Sequence, residues 1–186
     1  MIWFENRHRM ITLLTGERDA GKTSLCGRIA DMARAASATV AGVISPAIFR
    51  DGYKEGISVV DLRSGTSRPL AMKQTNRQFG EMGYRFDESS LRWANDAVAS
   101  SSPCDLLVID EIGPLEILHN RGFVAAIEVL LTGEYNIALV VVRPELIDAF
   151  RTQLGLPFSI RYVHDLSEDM LTDWPSAARS LVFGVS

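Results

Sequence analysis

The feature that most constrains this chain is the junction over residues 10–36. An apolar run rich in β formers, Met10 to Thr15 (MITLLT), leads directly into Gly16-Glu17-Arg18-Asp19-Ala20-Gly21-Lys22-Thr23, and Lys22 to Ala36 then has helical character. Strand, glycine-bounded loop and helix in that order bring backbone N–H groups and the positive end of a helix dipole to one point, which makes an anion cradle. The spacing G-x-x-x-x-G-K-[ST] is specific as well. With glycine near 7% of residues, chance produces it in roughly 0.6% of chains of this length. The position of each residue suggests its role. Gly16 and Gly21 let the backbone turn and approach closely, amides from Asp19 to Thr23 ring a β-phosphate, Lys22 reaches the β and γ oxygens, and the Thr23 hydroxyl ligates Mg²⁺. Nucleotide contacts are therefore expected at Gly16, Glu17, Arg18, Asp19, Ala20, Gly21, Lys22, Thr23 and Ser24.

The rest of the chain alternates strands with helices. Thr39 to Ile48 and Gly56 to Leu62 read as strands around an Asp51-Gly52 turn, and Ser64-Gly65 marks a second turn before a short strand from Arg68 to Gln74. This piece, 39–74, reads as an inserted β-meander. Asp87 to Ser100 is a helix with Asp87 as N-cap, ended by Ser-Ser-Pro. Cys104 to Asp110 (CDLLVID) and Asn136 to Val142 (NIALVVV) are continuous apolar runs of the kind that strands buried on both faces show. Helices are expected at Phe123 to Leu131, at Pro144 to Gln153 with proline first, and at Ser167 to Ser180 interrupted by Pro175; Ser159 to Val163 is a last strand. The pattern predicts an α/β protein of one domain over 1–186, a mostly parallel sheet flanked by helices and carrying an antiparallel meander.

Composition narrows the function classes. The chain has 186 residues, 47% hydrophobic and 23% charged, and its longest apolar run, Ile137 to Val142, is far too short to span a bilayer. The N-terminal stretch lacks an apolar secretory core, so a soluble, cytoplasmic protein without a membrane partner is expected. A net charge of −4 offers no basic footprint for a phosphate backbone, which argues against nucleic acid as a partner. Cys26 and Cys104 lie in apolar patterns with no C-x-x-C partner and read as free thiols.

A phosphate loop needs a metal and an attacking group before it does chemistry. In Leu106 to Glu111 (LLVIDE), a buried strand ends in carboxylates, which puts Asp110 at the carboxyl edge of the sheet where it can hold magnesium with Thr23. Glu111 follows and can accept a hydrogen bond from water and aim it at a γ-phosphorus. Arg143 ends the strand NIALVVV on the same edge and is the first candidate cation for the charge developing on the γ-phosphate; Arg121 is the second. Glu111, Lys22 and Arg143 thus form the expected catalytic set. His8, His119 and His164 have no metal-ligand spacing to one another, and no Asn-Lys or Thr-Lys pair exists to build a guanine-reading box, so guanine-only specificity is disfavoured.

Three segments, GERDAGKTSL, AGVISPAIFRDGYKEGISVVDL and LLVIDEIGPLEILHNRGF, together resemble the small P-loop nucleoside-triphosphatases of the THEP1 family. The likeness runs from about Ile11 to Ile147 and is most specific at VIDEIGPLE, Val108 to Glu116, followed by Phe123. It implies a RecA-like fold and Mg²⁺-dependent hydrolysis of ATP, GTP or other nucleoside triphosphates with loose base preference. It assigns phosphate binding to Gly16, Gly21 and Lys22, metal binding to Thr23 and Asp110 and water activation to Glu111, and it places Glu116 near the site. Two departures stand out. The loop interior carries Glu17 and Asp19 where the family has small residues, and YVHDLSED replaces a family asparagine-arginine pair. Two other functions remain open beside hydrolysis: a nucleotide or small-molecule kinase, and a nucleotide-dependent adaptor that docks a protein partner through the meander.

Overall fold

The computed structural model describes residues 9–75, 82–113, 116–117 and 122–163. The expected helix over 167–180, together with Arg121, His8, His119 and His164, lies outside them. Nine strands form one sheet: β1 (Met10–Thr15), β2 (Val40–Ile44), β3 (Ala47–Arg50), β4 (Tyr53–Asp61), β5 (Ser67–Thr75), β6 (Met82–Phe86), β7 (Cys104–Ile112), β8 (Tyr135–Val142) and β9 (Ser159–Tyr162). Their order is β6-β5-β4-β2-β7-β8-β1-β9, with β3 paired to β4. From β2 to β9 every pairing is parallel, so Ile44, the end of β7, Val142, Thr15 and Tyr162 all emerge on one carboxyl edge. In open α/β sheets that edge is where ligands bind.

Helices cover both faces of the parallel half. On one face α1 (Lys22–Ala35) packs Leu25, Cys26, Ile29 and Ala30 against Leu14, Leu106, Val108, Leu139 and Val141. The other face carries α2 (Glu88–Ala99), α3 (Ala125–Thr132) and α4 (Ile147–Leu154), which bury Leu91, Val98, Leu130 and Phe150 against Leu13, Leu107, Ile109 and Val140. Alternate residues of each central strand thus feed two different cores, which is why the middle positions of these strands are mostly apolar. No helix among the described residues is long and apolar enough to cross a membrane.

The single strand expected at 39–48 is two strands. Ser45-Pro46 interrupts it, because proline has no N–H for a ladder and Ser45 is engaged by β7. Its first part, β2, joins the parallel sheet, and Gly42 makes this possible. At Gly42 φ is +99°, and a Cβ there would lie 1.9 Å from the Val108 carbonyl oxygen. The antiparallel part therefore runs from β3 to β6, and β6, in a stretch without a clear sequence signal, is its outermost strand. Asp87 caps α2 as expected, accepting from the Ser90 amide at 2.7 Å. Pro144 opens a single 3-10 turn, Pro144–Leu146, ahead of α4.

Candidate active site

The loop after β1 has the shape its glycines require. Gly16 has φ +140°, and a Cβ on it would stand 2.2 Å from the Val163 carbonyl oxygen, so the loop starts hard against the end of β9. Gly21 takes a left-handed conformation (φ 88°) as the N-cap of α1 and accepts from the Leu25 amide at 2.9 Å. The Lys22 ammonium folds back over the loop and donates to the carbonyls of Gly16, at 2.8 Å, and Glu17. Arg18 and Ser24 are exposed and Ala20 is half-buried.

The two acids inside the loop are each engaged by a side chain of a neighbouring strand. Glu17 Oε1 accepts from the Tyr162 hydroxyl at 3.4 Å, and Asp19 Oδ1 pairs with Lys54 Nζ at 3.3 Å. Each carboxylate is thus held by a neighbouring strand and is not free to turn into the loop. This accounts physically for how a loop reading Glu-Arg-Asp-Ala can remain an anion cradle.

Asp110 is 2% exposed. Its carboxylate accepts from the Ser45 amide at 3.0 Å, its carbonyl accepts from Ser45 Oγ at 2.6 Å, and the Thr23 hydroxyl hydrogen-bonds to the carboxylate. Burial pushes its pKa up to about 6 even though Ser45, Thr23 and the Lys22 charge all favour the ionised form. Cys26, one turn into α1, is fully buried nearby, and that burial raises its thiol well above the usual range. Burial likewise pushes Cys104 up to about 11, and both cysteines are free.

Glu111 and Arg143, 32 residues apart in sequence, meet at the carboxyl edge, where Arg143 Nε donates to Glu111 Oε1. Burial works against the guanidinium charge, but the bond to Glu111 and the charges of Glu111, Glu145 and Glu116 prevail and raise the Arg143 pKa. Glu116, only 8% exposed, closes the following segment by accepting from the amides of Gly113 (2.8 Å) and Phe123 (3.0 Å). Gly122 leaves room for it, since a Cβ there would lie 1.9 Å from Glu116 Oε1. Its role is therefore to clamp the backbone beside Glu111. Burial raises the Glu116 carboxyl against the pull of the two amides.

The geometry thus brings Lys22, Thr23, Asp110, Glu111 and Arg143 to one edge. Sequence reasoning did not find Ser45, Lys54 or Tyr162 as parts of it. Ser45-Pro46 between two apolar runs is a faint signal for the first, and nothing in the pattern marks the other two. A hydroxyl and a carboxylate in direct contact form a hard-oxygen donor pair that fits Mg²⁺, an ion that takes its remaining ligands from phosphate and water. No cluster of three or more His, Cys, Asp or Glu side chains among the described residues suggests any other metal.

Comparison with known proteins finds nucleoside-triphosphatases. A family model described as NTPase matches residues 11–161. The nucleoside-triphosphatase THEP1 of Methanosarcina acetivorans is 31% identical over 130 residues, covering 69% of this chain and 73% of that protein. That of Thermococcus kodakarensis is 34% identical over 144 residues, covering 74% and 78%. Among solved structures, a human cancer-related nucleoside triphosphatase superposes with a TM-score of 0.65 at 25% identity, over 92% of this chain and 98% of that one. The crystal structure of THEP1 from Aquifex aeolicus shares the fold, with a TM-score of 0.60 at 15% identity over 94% and 99%.

Proposed function

The chain belongs to the NTPase family of THEP1-type nucleoside-triphosphatases, and on that premise we propose that it hydrolyses the β–γ bond of nucleoside triphosphates with Mg²⁺ and little regard for the base. The observation that carries this reading is the hydrogen bond from Thr23 to Asp110, which ties the phosphate loop to the acidic strand, with Glu111 next in the chain. The loop amides and Lys22 hold the β- and γ-phosphates. Thr23 and Asp110 would hold a magnesium ion, which would offset the charge developing on the phosphate oxygens. Glu111 accepts a hydrogen bond from water and directs its oxygen at the γ-phosphorus. As the new P–O bond forms, the bond from the γ-phosphorus to the β–γ bridging oxygen breaks, its electron pair leaves with the nucleoside diphosphate, and the water's proton passes to the Glu111 carboxylate. Arg143 sets the orientation of Glu111 and stands as the cation for the γ-phosphate oxygens. Loose base preference is supported by the sequence having no Asn-Lys or Thr-Lys pair to build a guanine-reading box.

The test is phosphate release from Mg·ATP, Mg·GTP, Mg·CTP and Mg·UTP with no acceptor present, for wild type and Glu111→Gln. Wild type is expected to turn over several of them, and Glu111→Gln to bind nucleotide yet run at least about a hundredfold slower. Equal rates for the two proteins would remove Glu111 from the mechanism. Binding without release by wild type would redirect the search to a phosphate acceptor or a protein partner.

A further inference from the structure

The β3–β4 hairpin takes no part in the chemistry described above, yet it stands over the site. β2 reaches the carboxyl edge at Ile44, and β3 continues beyond it, pairing only with β4. The hairpin has two distinct faces, because residues directly opposite each other in an antiparallel pair point the same way. Arg50 is opposite Tyr53, and Arg50 is engaged on that side by Glu55 at 3.2 Å. Phe49 is opposite Lys54, and Lys54 reaches Asp19 of the phosphate loop. The face bearing Phe49 and Lys54 is therefore the one turned toward the loop.

Phe49 is 65% exposed. A lone exposed aromatic is ordinary on a protein surface. This one differs in two respects. A register shift falls between Ile48 and Phe49, and such bulges re-aim side chains beside sites. Its cross-strand neighbour is also a cation already in contact with the cradle. We propose that the β3–β4 hairpin is the outer wall of the nucleotide site, with Phe49 stacking on the base and Lys54 facing the phosphates. The inference rests on the reading of the loop as a nucleotide site and deepens it. Stacking is tolerant of base identity because every base has a π-face. A wall of this kind is the physical means by which one site accepts several nucleotides while reading none of their edges. Asp19 holds Lys54 in place by charge.

The experiment compares dissociation constants of Mg²⁺ complexes, by calorimetry, for the β,γ-imido analogues of ATP, GTP and UTP and for inorganic tripolyphosphate, which has no base. Phe49→Ala is expected to weaken all three nucleotide analogues about tenfold while leaving tripolyphosphate unchanged. Phe49→Trp is expected to restore nucleotide affinity, and Lys54→Ala to weaken nucleotides and tripolyphosphate alike. Thermal unfolding of Phe49→Ala should match wild type, because the side chain is mostly exposed. The proposal is overturned if Phe49→Ala binds the nucleotides as wild type does, or if it loses tripolyphosphate affinity in equal measure. These constants do not depend on turnover, so a wild type that hydrolyses nothing would defeat the hydrolase reading and still leave the wall to be decided.

Discussion

Strands β7 and β8 of the parallel half read CDLLVIDEI and YNIALVVV and are buried at most positions, whereas β3 and β4 of the antiparallel half read AIFR and YKEGISVVD and bury only Gly56 and Val59. The parallel strands have helices on both faces, so their sequence is dictated by packing and their chemistry is pushed to the ends, at Thr15-Gly16, Asp110-Glu111 and Arg143. The hairpin is freer of the core, so its side chains can face ligand or solvent. One half builds the edge on which the reaction is proposed to occur, and the other reaches over that edge through Lys54.

That contrast can be broken most forcefully at Gly42. Gly42→Ala places a Cβ 1.9 Å from the Val108 carbonyl oxygen in a left-handed backbone, so β2 and β7 must separate. A loss of about 3–5 kcal/mol is expected in urea unfolding. Gly52→Ala at the hairpin turn, also with positive φ (+80°) but with nothing within 4 Å, should cost only about 1–2 kcal/mol. Equal losses would show that the parallel core is no more constrained than the hairpin.

The second effect is a pH dependence located under the loop. The Asp110 pKa is raised from 3.8 to about 6 in the folded chain, so the protonated carboxyl is the form the fold favours. Its contribution is complete below about 3.8 and is lost as pH rises through about 6. In metal-free, nucleotide-free protein, Asp110→Asn should therefore gain stability relative to wild type across that window, by up to about 1.4 kcal/mol per pH unit. A stability difference that stays flat from pH 4 to pH 6 would count against a desolvated carboxylate at this position.

The smallest effect is expected at Lys54. Its partner Asp19 is largely exposed and Lys54 itself is only half-buried, so Lys54→Ala should change unfolding stability by no more than about 1 kcal/mol, in contrast to the effect proposed for it on phosphate binding. A larger loss would mean that the hairpin helps hold the fold, which would blur the division between the two halves.

Much of this molecule is legible in the chain itself. Gly16 to Thr23 declares a cradle because its residues are neighbours in sequence, and CDLLVID and NIALVVV declare doubly covered strands because burial on both faces keeps their LLVI and IALVVV stretches free of polar residues. Where one residue carries the signal, the reading is harder. Pro46 splits an apolar run that otherwise reads as one strand. β6 contains Gly83 and Arg85, and its pattern does not stand out from a loop. Glu116 stands out only within the resembling motif, and its part in capping two amides depends on Gly122 leaving it space.

By itself, then, the sequence determined the phosphate loop, the acidic strand end and the α/β class, since each is encoded by adjacent residues or by a short period. Tertiary structure decided which distant groups share the edge: Arg143 on Glu111, Ser45 on Asp110, Tyr162 on Glu17 and Lys54 on Asp19. Those pairings follow from strand order and register. Both are set by the packing of two cores at once, and no local stretch of the chain contains that information.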